Sequence, residues 1–280
     1  MPTAALFVTC VLDQLDPDAA VGAVMLLEAA GVTVEVPERQ TCCGQPGITA
    51  GEPEAAARLA GHFLDVFERY DAVVAPSGSC AGTVHHWFER LLPHDAERVR
   101  RLADRTFELT GYLVDVLGRE DLGARLDTSV AVLDSCHGMR HLGVHDAPRR
   151  LLAAAGATIV ELSDPETCCG FGGVFAVGHP VVSTALADEK LLDAASTEAE
   201  WITGCDAACL LHLAGRRRRT GIGPKPVHVA TLLASGLAVG PSLSSKAGTQ
   251  APGQRLGPCG EDGDDGTGGE DDTGDEAGAR

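Results

Sequence analysis

Cys10, Cys42 and Cys43 recur as Cys136, Cys168 and Cys169, each 126 residues further along, and Gly44 recurs as Gly170 at the same offset. Four positions in one register mark an internal duplication. A further cysteine closes each set. Cys80 does so in the first half; displaced by 126 it falls on Asp206, which is flanked by Cys205 and Cys209. Thiolates bind soft metals and iron–sulfur clusters and carry out thiol–disulfide exchange. Zinc knuckles usually draw on C-x2-C pairs, and none is present. Buried cysteines can also act as plain small hydrophobes, but that is a poor account of eight or nine in duplicated register.

The vicinal pairs constrain the backbone. Successive residues of a strand face opposite ways, so Cys42 and Cys43 can address one site only from a turn. Gly44 and Gly170 supply the unrestricted backbone for it. The second copy continues as CCGFGG, whose glycines let backbone N–H groups approach cluster sulfur.

Cysteines more than 30 residues apart converge only if the fold brings them together. In the first half LFVTC reads as a strand, Asp16 to Ala30 as a helix, and Val32 to Val36 as a strand. Glu52 to Tyr70 is an amphipathic helix with Leu59, Phe63, Val66 and Phe67 on one face, followed by a strand over Ala72 to Ala75 and a helix after Ser79. The second half repeats this: VAVLDSC as a strand, Ala147 to Ala155 as a helix, ATIVEL as a strand, Val181 to Ala195 as a helix, WITGC as a strand. The expected fold is α/β, two similar βαβ-type halves with mainly parallel sheets. Cys10 and Cys136 are expected to end a first strand, with the other cysteines just beyond the second and third. In open parallel sheets ligands bind at the carboxyl edge of the strands.

Composition narrows the function classes. Within 280 residues, 44% hydrophobic side chains can fill sizeable cores, and only 4% aromatics make those cores aliphatic. A formal charge of −18 argues against nucleic acid or an anionic membrane as partner. No apolar run reaches the roughly 20 residues of a spanning helix. The first residues lack a basic segment and meet Asp13 and Asp16 early, unlike a signal peptide. Many cysteines without an export signal fit a reducing cytoplasm and metal or redox chemistry. From Pro241 onward Gly, Ser, Asp, Glu and Pro prevail; Lys246 to Arg280 hold nine acidic and three basic residues. Such a segment buries too little apolar surface to order itself, so a disordered acidic tail carrying an unengaged Cys259 is expected over 241–280. The boundary between the halves is expected at 125 and 126.

These motifs resemble the cysteine-rich CCG-domain family, which includes the iron–sulfur subunit of glycolate oxidase and the CCG-bearing component of heterodisulfide reductase. The closer resemblance is to its lactate utilization protein A group, over about residues 4 to 236. It rests on PSGSC at Pro76 to Cys80, DSCHGMRHLG from Asp134, CCGFGG from Cys168 and CLLHL from Cys209. The resemblance implies two ligand sets, Cys10, Cys42, Cys43 and Cys80, and Cys136, Cys168, Cys169 and Cys209. It implies two iron–sulfur clusters of the [4Fe–4S] class, cubane or noncubane. The fullest family pattern ends C-x2-C, whereas Ser77 precedes Cys80 by three and Cys205 precedes Cys209 by four, so Cys205 is an open fifth ligand. The ferredoxin-type C-x2-C-x2-C-x3-C-P run of larger relatives is absent. The implied role is an electron-transfer subunit of an L-lactate-oxidising complex, beside a ferredoxin-like iron–sulfur subunit and a third small one. A glycolate oxidase or heterodisulfide reductase-like role, or a zinc-bound scaffold without redox activity, are the alternatives.

Other residues are ambiguous. His137 adjoins Cys136 and could donate to a cluster or simply pack. His85 and His86, as helix neighbours, point apart. Arg140 could bind a carboxylate or form a surface ion pair. Arg216 to Arg219 fall where a helix ends, a favourable place for positive charge. Deleting Lys246 to Arg280 removes no proposed ligand and almost no apolar surface, so the melting temperature should stay within a degree or two of the parent; a larger fall in a thermal melt would show that the tail packs.

Overall fold

The computed structural model describes residues 1–238; the acidic tail and Cys259 lie outside them. The first half runs β1 (Thr3–Leu6), α1 (Cys10–Leu15), α2 (Pro17–Ala29), β2 (Thr33–Glu35), α3 (Gln45–Ala50), α4 (Pro53–Phe67), β3 (Val73–Ala75), α5 (Gly78–Leu91), α6 (Ala96–Ala103), β4 (Thr106–Glu108) and α7 (Leu109–Gly111). The second runs β5 (Ser129–Val132), α8 (Cys136–Leu142), α9 (Asp146–Ala154), β6 (Thr158–Val160), α10 (Val174–Gly178), α11 (Pro180–Ser196), β7 (Trp201–Gly204), α12 (Ala207–Thr220), β8 (Lys225–His228) and α13 (Val229–Ser235). Each half forms a four-stranded parallel sheet, ordered β2-β1-β3-β4 and β6-β5-β7-β8. The fold is therefore α/β with two similar halves, as the sequence pattern implies. Among the described residues no helix is long and apolar enough to cross a membrane.

Two features differ from the sequence expectation. Each sheet has a fourth strand, β4 or β8, that the periodicity does not reveal. Both are short edge strands, and β8 contains Pro226, which an edge position tolerates. Cys10 and Cys136 do not end strands: β1 and β5 stop earlier, and each cysteine opens a short helix. The apolar run LFVTC reads as strand to its end, but the chain turns helical at Cys10, and Leu12 is buried from that helix and packs with Ala19 and Ala207.

Strand alternation divides the interior into three layers. Ala4, Leu6 and Val74 of one sheet and Val130 and Val132 of the other face a common central core. Ala5, Phe7, Val73 and Ala75 face the opposite way, into a layer private to the first half. Ala131, Leu133 and Ile202 do the same for the second. Both sheets are thus covered on both faces, as parallel sheets require. The halves also exchange covers. The second half's α13 packs on α2 of the first, so closely that a Cβ on Gly22 would stand 2.7 Å from the Ala230 carbonyl oxygen. The chain following β4 packs in turn on α9 of the second half.

Polar groups fix the seam between the sheets. The Asp206 carboxylate, at the start of α12, accepts from Ser77 Oγ (2.8 Å), Ser79 N (3.0 Å) and Ser79 Oγ (2.7 Å) of the first half. His228 caps α13 by accepting from Ala230 N at 3.1 Å, and its Nε2 reaches the Pro76 carbonyl, also at 3.1 Å. Burial lowers the pKa of this imidazole, and the neutral ring with the proton on Nε2 satisfies both contacts. Glu108 is its counterpart at the end of β4. One oxygen, Oε2, accepts from Thr110 N, Thr110 Oγ1 and Gly111 N, while Oε1 is buried without a partner.

Burial raises the Glu108 pKa to about 7 from an ordinary 4.5, with the Asp206 charge adding to the effect. A carboxyl raised in the folded state stabilises the fold fully below its unfolded value and loses that contribution as pH passes its folded value. Stability should therefore fall between about pH 4.5 and pH 7, by on the order of 3 kcal/mol from this group. Glu108→Gln keeps the acceptor and removes the titration, so its denaturation midpoints should decline less over that range. Parallel pH profiles for parent and variant would show the assignment to be wrong.

Candidate metal centres

All eight paired cysteines meet in two groups. In the first, Cys10 Sγ lies 3.5 Å from Cys42 Sγ, and Cys43 Sγ 3.4 Å from Cys80 Sγ. In the second, Cys169 Sγ lies 2.8 Å from Cys209 Sγ, and Cys136 Sγ contacts Cys168 Sγ. The vicinal pair bridges each group, giving two chains of four thiols, 10–42–43–80 and 136–168–169–209. None of these cysteines is in a disulfide. As placed, no three His, Cys, Asp or Glu side chains among the described residues surround a common ion position.

The backbone explains the spacing. Cys80 and Cys209 occupy the same place, the third residue of α5 and of α12, behind the N-caps Ser77 and Asp206. Helix N-termini carry partial positive charge and favour anionic sulfur. Gly44 and Gly170 both have φ of +85°, the left-handed region, so the chain reverses just after each vicinal pair. Their N–H groups point back at Cys42 Sγ (3.4 Å) and Cys168 Sγ (3.3 Å). A Cβ on Gly170 would stand 2.3 Å from the Ser183 carbonyl oxygen, and one on Gly44 3.1 Å from that of Ala56.

The register settles where the third element sits. β1 pairs β3 with Ala5 opposite Val73, and β5 pairs β7 with Ala131 opposite Ile202. Ala131 is Ala5 displaced by 126, but Ile202 is Val73 displaced by 129. Cys80 therefore corresponds to Cys209, not to Asp206, and Asp206 corresponds to Ser77. Three inserted residues before β7 cause the drift. Cys205 belongs to the central core, where it faces Ser135 Oγ at 3.9 Å, while Cys169 and Cys209 belong to the second half's outer layer.

The sulfurs in each chain share protons unequally. Cys42 and Cys168 are held far below the ordinary thiol value, first by their hydrogen bonds from Cys10 and Cys136, then from Cys43 and Cys169. The donors Cys10, Cys43, Cys136 and Cys169 are pushed well up. Beside the second group lies a solvent-open concavity of about 230 Å³, counting its mouth, lined by Asp134, Ser135, Thr167 and the four cysteines. Four thiols, polarised N–H groups and helix N-termini form a donor set suited to a thiophilic cation or an iron–sulfur cluster.

A model of the cysteine-rich domain designated CCG matches residues 4–85 and again residues 130–214. The chain belongs to the CCG cysteine-rich domain family. Its two family segments are the two cysteine groups with their strands. It is 40% identical over 236 residues to lactate utilization protein A 2 of Bacillus cereus (strain 03BB102), covering 83% of this chain and 98% of that protein. Lactate utilization protein A 1 of Bacillus anthracis (strain CDC 684 / NRRL 3495) is 39% identical with the same coverage. A solved periplasmic solute-binding protein from Actinobacillus succinogenes 130z overlaps with a TM-score of 0.27 at 12% identity, covering 81% of this chain and 77% of that one, too low to carry an argument.

Several neighbours of the CCG sites escape sequence reasoning. Ser77 and Ser135 are N-caps, accepting from Cys80 N (3.2 Å) and Gly138 N (3.1 Å); the S-x-x spacing ahead of each helix was the available signal. His137 Nδ1 lies 3.4 Å from Cys136 Sγ and its Nε2 lies 3.4 Å from Gln45 Nε2, so this side chain spans both CCG sites. His85 and His86 do point apart, His85 toward the Thr106 carbonyl and His86 against the His141 ring. Arg216 pairs with Asp188, and Arg217 donates to the Gly223 carbonyl at the end of α12. Gly44→Ala should cost about 1–2 kcal/mol for its left-handed backbone. Gly170→Ala adds a backbone clash and should cost about 3 kcal/mol or more. Equal losses in denaturant melts would contradict the closer packing at the second loop.

Proposed function

We propose that each thiol chain holds one iron–sulfur cluster and that the protein relays electrons between them as part of a lactate-oxidising system. The observation that carries this reading is the duplicated four-thiol chain with a backbone N–H aimed at the central sulfur of each. Cys10, Cys42, Cys43 and Cys80 would hold the first cluster, and Cys136, Cys168, Cys169 and Cys209 the second. When bound, such clusters accept and release single electrons without moving protons or heavy atoms. The residues do the rest. Thiolates bind iron, while Gly44 N–H, Gly170 N–H and the N-termini of α5 and α12 offset negative charge. Phe7, Phe63, Phe67 and Phe88, with ring centroids 4.4 to 5.5 Å apart, keep water from the inner side of the first site.

Lactate as the electron source rests on the names of the relatives; a ferredoxin-like iron–sulfur partner and a third small subunit are what the family resemblance implies. The [4Fe–4S] class and a cytoplasmic location belong to the same reading. A single zinc per site is the competing one. It is supported by the donor set, since each group gathers four thiols, the number a structural zinc site takes.

Protein made and purified without oxygen should be brown and contain iron with matching acid-labile sulfide. Cys43→Ala should remove about half of the iron, Cys169→Ala the other half, and each should abolish growth on L-lactate while sparing growth on glucose. Zinc without sulfide in the parent would replace the cluster reading with the scaffold. Half the iron with normal growth on lactate would break the electron-relay reading.

A further inference from the structure

The duplication allows the surroundings of the two sites to be compared position by position. The cradle of Gly44 is formed by Ala56 and Leu59, that of Gly170 by Ser183 and Leu186, which sets α4 and α11 in register at an offset of 127. Ala60 and Leu64 then match Ala187 and Leu191, each pair in the outer layer of its half. Phe63, in the aromatic cluster of the first half, corresponds to Lys190. Lys190 is completely buried, and its Nζ donates to the Asp164 carbonyl at 2.6 Å, in the loop leading to Cys168. Burial lowers the pKa of its ammonium, while the charges of Asp193, Asp164 and Cys169 act the other way and favour the charged form.

The same comparison recurs elsewhere. Arg140 acts on Cys168 from α8, where the first half has Gln14. His212 contacts Ser183 Oγ at 3.2 Å, where the first half has Thr83 and Ala56. Cys168 is exposed whereas Cys42 is half-buried. Four carboxylates oppose these cations: Asp193, Asp164 and Asp134 act on Lys190, and Asp206 acts on Cys136. Asp193 accepts from the Ser163 and Asp164 backbone N–H groups at 2.9 and 3.0 Å. Asp134 is neutralised by a two-pronged bond from Arg149, 2.8 Å on each side. The charge of Asp206 is spread over the three donors of Ser77 and Ser79. The sulfur-directed N–H groups are alike at both sites, so they do not distinguish them.

We propose that Lys190, supported by Arg140, sets the cluster at the second site to the higher reduction potential, so that electrons run from the first site to the second. This rests on the reading that both sites hold iron–sulfur clusters. A buried positive charge stabilises the more negative, reduced state of a cluster, and greater solvent exposure acts in the same direction. Among the described residues no buried cation lies under the first site, where the corresponding space is filled by Phe63.

The test is a redox titration of the intact, anaerobically reconstituted protein followed by electron paramagnetic resonance. Signals are assigned with Cys43→Ala, which leaves the second site, and Cys169→Ala, which leaves the first. Two waves are expected, the higher at the second site. Lys190→Met should shift the second site's reduction equilibrium at least tenfold toward the oxidised form, about 59 mV for one electron, with iron content and the first site unchanged. A lysine that merely pins the loop would alter iron content but not the potential of the iron retained. Arg140→Gln, an exposed change that recreates the first half's residue, should give a smaller shift of the same sign and carries the test if Lys190→Met does not fold. Equal potentials in the parent, or a second-site potential unmoved by both variants, would overturn the inference alone. Absence of iron and sulfide would instead overturn the cluster reading beneath it.

Discussion

Four thiols in van der Waals contact cannot all ionise, because each negative sulfur disfavours the next. In each chain the protons concentrate on the end and inner donors, while Cys42 and Cys168 carry the acceptor role. The arrangement is stable as a metal-binding set only if positive potential is supplied where the sulfurs meet. The fold supplies it from several directions. α5 and α12 aim their N-termini at Cys80 and Cys209, and the left-handed glycines turn an N–H toward each acceptor sulfur. Everything else about the local backbone follows from that requirement, including a glycine that no side chain could replace without meeting the helix behind it.

The parallel sheet makes the convergence possible, and the seam makes two sheets into one body. α2 of the first half and α9 of the second line the central core, α13 packs on α2 and the chain after β4 packs on α9, so that core draws on both sequences. Glu108 and His228 sit at corresponding strand ends, each capping the helix that crosses over. Asp206, in the position of Ser77, turns what would be a repeated serine N-cap into the acceptor for Ser77 and Ser79 of the other half. One substitution within the repeat thus distinguishes the two copies and locks them together.

Much of this was legible in the sequence because the repeat spacing and the strand–helix alternation are strong signals. The vicinal pairs, the glycine turns and the first three strands of each half follow from residue type and period. Spacing alone did not fix the counterpart of Cys80, because Cys205 and Cys209 both follow β7 and sheet register separates them; the resemblance pointed to Cys209. β4 and β8 were hidden because neither carries an apolar run: β4 is Thr-Phe-Glu, and β8 is interrupted by Pro226. The helical start at Cys10 was hidden because an apolar run suits strand or buried helix alike. Lys190 gave no local sign, since a lysine on an amphipathic helix ordinarily reads as solvent-facing.

Its burial becomes intelligible from the positions around it. Phe7 of the first half corresponds to Leu133, and Phe67 to Ala194, so the second half has smaller side chains where the first has aromatic rings. That smaller wall leaves room for the lysine stem. The ammonium needs acceptors, and the loop between β6 and Cys168 provides them; it is one residue longer than the loop between β2 and Cys42. Asp193, one turn beyond Lys190, holds the same loop by accepting from Ser163 N at 2.9 Å and Asp164 N at 3.0 Å, which leaves the Asp164 carbonyl facing inward. Loop length, small wall residues and the buried cation are therefore one coupled change. Replacing Lys190 by phenylalanine alone would not recreate the first site, because the ring's partners are missing and the Asp164 carbonyl would lose its donor.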